Sequence, residues 1–402
     1  MKGSKELKIT FFSNFLNHHQ LPFCQEMIKL HGDDFKFVAT EEIPKERIKL
    51  GYEDMNNKYD FVIKSYENEK EAYGLADESD VVIIGSAPTK YITNRIKNKK
   101  LTFRYSERIF KNYNSLKFIK SYISIFLKKT FVEKNVYLLC ASAFSTRDYN
   151  IAGAYINRCY KWGYFPKIKE YIDIQKIINN KIENSILWVG RFIDFKHPEI
   201  VIKLANELKN NKNKFKITMI GTGELKATII NMIKEDKLED VVEVLDSMSP
   251  NEVRKYMEKS QIYLFTSDKG EGWGAVLNES MNSACAVIAN SVIGSAPFLI
   301  EDEKNGLMYN NGNFEDLVYK VEYLLDNKNK CNEIGKMAYY TMLEKWSPKI
   351  AAERITNLSE NLLTKSNANL YEDGPCSKAK FVKDNWYKNN NLGKENNEKD
   401  NI

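Results

Sequence analysis

Three loops in the second half of the chain place charged residues and glycines where a predicted strand gives way to a predicted helix. The first loop holds Arg191 and Lys196, five residues apart, after a strand that ends at Gly190. Open α/β sheets bind ligands at the carboxyl ends of their strands. These two cations could neutralise a diphosphate there, Arg through its planar fork and Lys as a point charge. The alternative is that both are solvated loop cations.

The second loop is the tripeptide Gly221-Thr222-Gly223. Glycines at such a junction allow a tight turn and a close approach of the backbone to a ligand. The dinucleotide-binding fingerprint needs a third glycine, which does not occur at the expected spacing. The tripeptide therefore indicates either a ligand-binding loop or an ordinary glycine turn.

The third loop runs from the end of an apolar strand at Ser267 to a helix that is predicted to start near Gly274. Glu271 lies in the loop, and Glu279 lies on the first turns of the helix. Free N–H groups at the start of a helix suit phosphate oxygens. Carboxylates suit hydroxyl groups instead. A nucleotide sugar offers both kinds of group, so the three loops together predict a nucleotide-sugar site.

Alternating strand and helix patterns surround these loops and predict α/β structure in both halves of the chain. In the first half, apolar runs predict strands at 7–12, 35–40, 81–86, 101–105 and 136–141. The second half predicts strands at 186–190, 215–220, 242–245, 262–267, 286–290 and 306–309, and helices at 198–209, 225–236, 250–259, 275–283 and 314–326. Near-continuous apolar strands are typical of parallel sheets covered on both faces. The predicted fold class is therefore α/β, with two doubly wound Rossmann-like domains.

The composition excludes several classes of protein. The 402 residues are 43% hydrophobic and 28% charged, which suits a globular protein with its own apolar core. No run of 18 apolar residues predicts a spanning helix, and we see no secretory signal at the N-terminus. The six cysteines are scattered, with no C-x-x-C pair, and predict free thiols rather than a metal cluster. We expect a cytoplasmic protein.

The segment EGWGAVLNE, which begins at Glu271 and ends at Glu279, resembles the E-x7-E signature of retaining glycosyltransferases of family four, which have the GT-B architecture. The segments 189–196, 221–223 and 305–307 resemble other donor-site segments of that family, in the same order. The resemblance covers about 185–345 with high specificity and the first half of the chain only weakly. It implies two domains that face each other across a cleft.

The resemblance also implies a role for each candidate residue. Glu279 would hold the ribose hydroxyls of the donor nucleotide, and Glu271 would contact the transferred sugar. Arg191 and Lys196 would hold the leaving diphosphate, whose charge needs stabilisation but no protein nucleophile. The rest of the donor pocket would be lined at Gly190, Gly221, Gly223, Gly272, Trp273, Gly274 and Ala275. No D-x-D sequence occurs in the chain, so we expect no metal and no other cofactor.

On the acceptor side, the sequence departs from the family pattern. The usual Gly-rich loop after the first strand is replaced by 14–20, where Asn17 and His18 could bind phosphate or acceptor. Alternatively, one histidine of this loop is exposed and the other caps the helix. The usual histidine after a middle strand is absent, and Glu107 or Tyr105 could take its place. The usual G-G turn before the late helix is also altered, at 293–297.

Residues 91–134 hold twelve Lys and Arg but only two acids. Within this stretch, 116–129 predicts a basic, aromatic amphipathic helix, a type that can lie on an anionic membrane surface. Peripheral contact with the inner membrane face would suit a lipid-linked acceptor. The alternative is an ordinary surface helix with solvated lysines. No nucleic-acid-binding module accompanies the charge, so nucleic acid is not an expected partner.

The sequence thus predicts a metal-independent, retaining glycosyltransferase. It would move a sugar from a nucleotide-diphosphate donor to a glycan or lipid-linked acceptor in cell-envelope polysaccharide synthesis. The alternatives are a nucleotide-sugar epimerase, a phosphorylase, or a nucleotide-binding or membrane-docking protein without catalysis. The predicted domains are an acceptor domain at 1–165, a donor domain at 166–345, a C-terminal helix at 346–380 that returns toward the first domain, and a disordered tail rich in Asn and Lys at 381–402.

Overall fold

The computed structural model describes residues 7–45, 48, 53–111, 123, 133–366 and 369–387. The chain divides into two compact units, each built around one parallel sheet. The first unit comprises Met1–Ile168 and Met342–Phe381, and the second comprises Lys169–Thr341 and Val382–Ile402. Among the described residues, none of the helices combines the length and the apolar composition that a membrane span requires.

The helices are numbered in chain order through both units. They are α1 (Leu21–His31), α2 (Met55–Lys58), α3 (Glu69–Glu78), α4 (Thr93–Lys97), α5 (Ser145–Ile151), α6 (Ile174–Asn179), α7 (Pro198–Asn210), α8 (Lys226–Glu235), α9 (Pro250–Lys259), α10 (Val276–Asn282), α11 (Ala296–Leu299), α12 (Phe314–Asp326), α13 (Lys328–Glu344) and α14 (Pro348–Leu363). Pro lies in the first turn of α1, α7, α9, α11 and α14. Pro suits that position because the first N–H groups of a helix have no intrahelical acceptor.

The first unit contains a seven-stranded sheet in the order β3-β2-β1-β4-β5-β6-β7, and all neighbouring strands are parallel. Its strands are β1 (Ile9–Ser13), β2 (Phe35–Ala39), β3 (Val62–Lys64), β4 (Val81–Ile84), β5 (Thr102–Ser106), β6 (Val136–Cys140) and β7 (Cys159–Lys161). Every residue of β1 and β4 is buried, as expected for central strands covered on both faces.

The second unit contains a six-stranded parallel sheet in the order β10-β9-β8-β11-β12-β13. Its strands are β8 (Ile182–Val189), β9 (Lys216–Ile220), β10 (Val242–Leu245), β11 (Ser260–Phe265), β12 (Ala286–Asn290) and β13 (Leu307–Tyr309). Strand β8 lies between β9 and β11, and its Leu187 is aligned with Tyr263 of β11. The three loops that follow β8, β9 and β11 therefore lie side by side at one edge of the sheet.

The predicted fold class is confirmed, since each unit is a Rossmann-like α/β domain with a parallel sheet. Each of the eleven strands predicted from the sequence is present. The two strands that the sequence does not predict, β3 and β7, have three residues each and are the outermost strands of their sheet. A three-residue segment is too short to show a periodic pattern.

The C-terminal segment differs from the expectation of a disordered tail from 381 onward. Residues 382–387 lie against the second unit, where the Trp386 indole donates to the Ser291 carbonyl (3.0 Å). The Tyr387 hydroxyl donates to the Asp302 carboxylate (2.6 Å). These two aromatic side chains supply apolar surface that the polar composition of the tail otherwise lacks, and each also donates a hydrogen bond. The rest of the predicted tail, 388–402, lies outside the described residues, as does the predicted basic helix at 116–129 apart from residue 123.

Candidate active site

The loops after β8 and β9 pack backbone against backbone, and the glycines of the second loop make this possible. Gly221 has φ = 151° and Gly223 has φ = 155°, values that side-chain-bearing residues rarely adopt. A Cβ atom at Gly221 would overlap the carbonyl oxygen of Gly190, and one at Gly223 would lie 2.7 Å from the amide nitrogen of Phe192. The close approach expected at the tripeptide 221–223 is therefore made to the neighbouring loop of the protein itself.

Lys196 and Glu271 form an ion pair that joins the loops after β8 and β11. Both side chains are largely withdrawn from solvent, with 14% and 13% of their surface exposed. The same carboxylate oxygen of Glu271 also accepts a hydrogen bond from the Ser267 hydroxyl (3.0 Å). The structure thus brings together two of the three residues that the sequence marks as catalytic.

The third residue, Arg191, is exposed at the start of the same loop. Its guanidinium forms no ion pair with any carboxylate in the described part of the chain. Gly190 precedes it and accommodates the ring of Trp188, because a Cβ atom there would lie 3.1 Å from that indole. Arg191 therefore keeps its hydrogen-bonding capacity available, whereas Lys196 must exchange Glu271 for any incoming anion.

Glu279 presents a half-buried carboxylate at the first turn of α10. Its side chain makes no hydrogen bond with any residue that the structure describes. Burial raises the pKa of the Glu279 carboxyl, and the charge of Arg254 acts in the opposite direction. Glu271 and Glu279 both lie near the hydroxyl of Tyr263, whose pKa is raised well above its ordinary value by burial and by these two carboxylates. The two glutamates of the E-x7-E pattern therefore converge above β11.

The loop between the two glutamates combines a buried anchor with free backbone donors. Trp273 is fully buried, and its indole donates to Asn278 (2.9 Å). Gly274 has φ = 83° and lies against the ring of Phe265, where a Cβ atom would clash. The N–H groups of Gly272, Gly274 and Ala275 donate no hydrogen bond within the described residues. Such amides can bind phosphate or sugar oxygens.

The sequence analysis does not select His197, yet this residue joins the same two loops. Its Nδ1 lies 2.8 Å from a Glu199 oxygen and its Nε2 lies 3.2 Å from an Asp268 oxygen. Hydrogen bonds to these two carboxylates raise the pKa of His197 to about 10. Although burial opposes their ionisation, the pKa values of Glu199 and Asp268 are lowered by His197. The contact of His197 with Asp268 joins positions 71 residues apart. It is formed only by the folded chain and cannot be predicted from a local sequence pattern.

In the first unit, two of the predicted acceptor-side residues lie in one cluster around Tyr164. The Tyr164 hydroxyl donates to Glu107 (2.7 Å), and its ring stacks on His19 with centroids 5.9 Å apart. The ring of His18 lies 3.8 Å from that of His19. The sequence predicts roles for His18 and Glu107 but for neither Tyr164 nor His19, because the proximity of these side chains depends on the sheet.

Asn17 has a local structural role in the same region. Its side-chain oxygen accepts from the backbone N–H groups of His19 (3.0 Å) and Gln20 (3.2 Å). It therefore closes the turn that precedes α1, whose N-cap residue, Gln20, makes no side-chain capping hydrogen bond.

The basic stretch 91–134 is in part internal. Arg95 is fully buried and donates to backbone carbonyls of Ala76 (2.9 Å) and Ser79 (2.6 Å), among others. Burial lowers the pKa of Arg95 to about 10. Arg108 is also buried, 3.8 Å from Asp148. These two cations stabilise the interior of the unit and do not belong to a surface face.

Comparison with known proteins gives a family match within the second unit of the chain. Residues 170–341 match the family described as Glycosyl transferases group 1. This range contains Arg191, Lys196, His197, Glu271 and Glu279. The segment is therefore similar to the glycosyl transferases of group 1.

Named relatives share similarity with a limited part of the chain. Poly(ribitol-phosphate) alpha-N-acetylglucosaminyltransferase of Staphylococcus aureus is 28% identical over 176 residues, which are 44% of this chain and 35% of that protein. A Campylobacter jejuni enzyme, N-acetylgalactosamine-N,N'-diacetylbacillosaminyl-diphospho-undecaprenol 4-alpha-N-acetylgalactosaminyltransferase, is 30% identical over 162 residues, or 39% and 43% of the two chains. The chain thus spans less than half the length of these relatives.

Solved structures show the same fold over a larger part of the chain. Anabaena Alr3699/HepE in complex with UDP has a TM-score of 0.65 at 14% identity, covering 89% of this chain and 100% of that one. TarM of S. aureus has a TM-score of 0.56 at 21% identity, covering 69% and 54%. These similarities confirm the GT-B type of fold, with two Rossmann-like domains.

Proposed function

We propose that this protein is a metal-independent, retaining glycosyltransferase that uses a nucleotide-diphosphate sugar as donor. The observation that carries the proposal is the ion pair of Lys196 with Glu271 at the ends of adjacent strands, with Glu279 on the helix that follows the Glu271 loop. The Lys196 ammonium is paired with the Glu271 carboxylate. The Glu279 carboxylate is half-buried and has no hydrogen-bond partner in the described residues. This set matches the charges and hydroxyls of a nucleotide sugar.

In the proposed reaction, the donor diphosphate displaces Glu271 from Lys196 and also binds Arg191. The released Glu271 carboxylate then accepts a hydroxyl of the transferred sugar, while Glu279 accepts the ribose hydroxyls. The glycosidic bond breaks with its electron pair leaving on the diphosphate, and the cations stabilise the growing negative charge. The acceptor hydroxyl attacks from the face that the diphosphate leaves and passes its proton to an oxygen of the departing diphosphate, so the anomeric configuration is retained. The cations perform the role of a metal, since the chain has no D-x-D sequence.

The acceptor is proposed to be a glycan or lipid-linked saccharide of the cell envelope, used at the cytoplasmic side of the membrane. The names of the S. aureus and C. jejuni relatives specify poly(ribitol-phosphate) and a diphospho-undecaprenol-linked saccharide as their acceptors. Glu107 and the aromatic cluster around Tyr164 are the candidate acceptor-side groups of the first unit. Peripheral membrane contact through 91–134 remains part of the proposal.

The test is a donor panel followed by product analysis. UDP, GDP, ADP and CDP with their common sugar conjugates are first compared by thermal shift. A nucleotide at about 100 times its dissociation constant adds roughly 2.7 kcal/mol of stability. The stabilising sugar conjugate is then incubated with lipid-linked acceptors in the presence of excess chelator. Formation of a glycoside with the donor's anomeric configuration, measured by proton NMR, supports the proposal.

Three results would count against it. Stabilisation by none of the nucleotides contradicts the donor site. Conversion of the donor sugar without transfer indicates an epimerase. A complete loss of transfer in chelator that added metal restores contradicts metal independence.

A further inference from the structure

A line of charges of alternating sign connects the loops after β8 and β11. Lys196 pairs with Glu271, and the adjacent His197 lies between Glu199 and Asp268. Both ring nitrogens of His197 face a carboxylate oxygen, so both must carry a proton to donate. His197 is therefore a fixed cation beside the proposed diphosphate site.

The backbone at His197 shows that this side chain is held in place. Its φ is 50°, in the left-handed region that non-glycine residues seldom adopt. It follows Lys196 directly and precedes Pro198, the first residue of α7. A histidine in this conformation is stable only where its surroundings hold it, and here two carboxylates do so.

Further contacts fix the loops on each side of His197. The amide of Asp268 donates to the Phe195 carbonyl (2.9 Å), and the Thr266 hydroxyl donates to the Lys196 carbonyl (2.6 Å). Asp268 lies three residues before Glu271 in the same loop. Without a cation at position 197, Asp268 would keep the hydrogen bond from the Gly270 amide (2.6 Å) but would lose the positive charge that faces its other oxygen.

We propose that His197 is a positioning residue for sugar transfer. Its imidazolium ties the loop of Lys196 to the loop of Glu271, and it neutralises Asp268 so that this carboxylate does not repel the leaving diphosphate. The inference rests on the proposed function. His197 itself touches neither the sugar nor the bond that breaks.

The central test replaces His197 with Asn. Asn tolerates the left-handed region, so His197→Asn removes the cation and leaves the backbone conformation accessible. We expect kcat with the donor found in the nucleotide panel to fall ten- to a hundredfold. Donor KM should change less than threefold, because the diphosphate gains charge mainly as the glycosidic bond breaks. A kcat within threefold of wild type overturns the inference.

Two further variants separate the effect of the positive charge at position 197 from the effect of the size of its side chain. His197→Arg keeps a cation that can reach two carboxylates, and we expect at least a third of the wild-type kcat. Asp268→Asn added to His197→Asn removes the repelling charge, and we expect at least a threefold recovery of kcat over the single variant. Loss of activity in His197→Arg as large as in His197→Asn, or no recovery in the double variant, contradicts the electrostatic role.

His31→Asn is the matched control, since His31 lies in the first unit and contacts Thr356 (2.8 Å). It should keep the wild-type kcat. If the wild-type protein transfers no sugar from any donor, the proposed function fails and this inference fails with it. If the wild type is active and His197→Asn is equally active, only this inference fails.

Discussion

The two units share one scaffold and differ at the ends of their strands. The order β10-β9-β8-β11-β12-β13 in the second unit repeats the order of the first six strands in the first unit, β3-β2-β1-β4-β5-β6. In the second unit, the loops after these strands bear ion pairs and a half-buried carboxylate. In the first unit, the corresponding loops carry aromatic side chains. There Tyr164 donates a hydrogen bond to Glu107 and stacks on His19.

This difference shows where function is specified in such a protein. A common sheet provides the positions, and the chemistry depends on which side chains the loops place there. The charged loops of the second unit suit the donor, whose phosphates and hydroxyls need cations and carboxylates. The aromatic cluster of the first unit suits the saccharide part of an acceptor. The predictions below test this division.

The largest effect is expected from Lys196→Ala. Removal of a charge that stabilises the leaving diphosphate should lower kcat by about 10²–10³-fold. Lys209→Ala, which breaks a surface ion pair with Asp240 in the same unit, is the matched control and should keep the wild-type rate. Both are measured by initial rates of transfer. Equal rates for Lys196→Ala and Lys209→Ala would refute the donor-side role.

The second prediction concerns one buried cation from each unit, Lys181 in the second and Arg95 in the first. Lys181 donates to the carbonyls of Met257, Ser260 and Ser283 at 2.7–3.0 Å, much as Arg95 does in the first unit. Burial lowers the pKa of Lys181. Replacing either cation with Met leaves buried carbonyls unsatisfied and should cost about 2–4 kcal/mol of stability. Hydrogen exchange with mass spectrometry should find the loss of protection in the unit that carries the substitution. A loss spread equally over both units would contradict their independence.

The third prediction tests whether Glu279 binds the ribose of the donor nucleotide. Glu279→Ala should weaken nucleotide binding by about 1.5–3 kcal/mol, through loss of charged hydrogen bonds to the ribose. Titration calorimetry measures this. The control Glu243→Ala removes an exposed carboxylate of β10 and should bind normally. Glu107→Gln in the first unit should also bind the nucleotide normally but transfer more slowly. Normal affinity in Glu279→Ala would remove the ribose role.

The smallest effect is a difference in pH dependence between the units. The pKa of His197 is raised from 6.5 to about 10, so its contribution to stability is complete below pH 6.5 and is lost as pH rises through about 10. Burial lowers the pKa of His31, although Asp34 and Glu360 act in the opposite direction. Its contribution is present above pH 6.5 and is lost as pH falls below that value.

The second unit should therefore lose on the order of 1 kcal/mol on the alkaline side, and the first unit should lose stability on the acid side. Hydrogen exchange of each unit at several pH values measures both. His197→Asn should reduce the loss of stability of the second unit at alkaline pH and leave the acid-side loss of the first unit unchanged. If the second unit of this variant still loses the same stability at alkaline pH, the loss is caused by the titration of another group.

The sequence is informative where a pattern is local. Apolar runs identify the strands from 7–12 to 306–309, and the spacing of Glu271 and Glu279 predicts a donor loop. Glu279 lies just after the loop, on α10, so its position follows from neighbouring residues.

Contacts between distant segments are not visible in the same way. The tripeptide 221–223 is consistent with ligand binding. In the structure, its glycines leave room for the backbone of the loop after β8, which a Cβ atom would overlap. The charge of Arg95 suggests a surface, whereas its six hydrogen-bonding contacts lie in the interior. His197 gains its importance only when the fold brings it to Asp268. In each case the partner is supplied by another strand or loop, which the sequence alone does not reveal.

We propose that the donor binds at the strand ends of the second unit. Hydrogen exchange with mass spectrometry, with and without the nucleotide sugar that stabilises the protein best, tests it most directly. We predict protection of 190–197 and 267–279, with no comparable change in 13–20 or 103–108. Protection confined to the first unit, or unchanged exchange in 267–279 at saturating nucleotide sugar, would contradict the account.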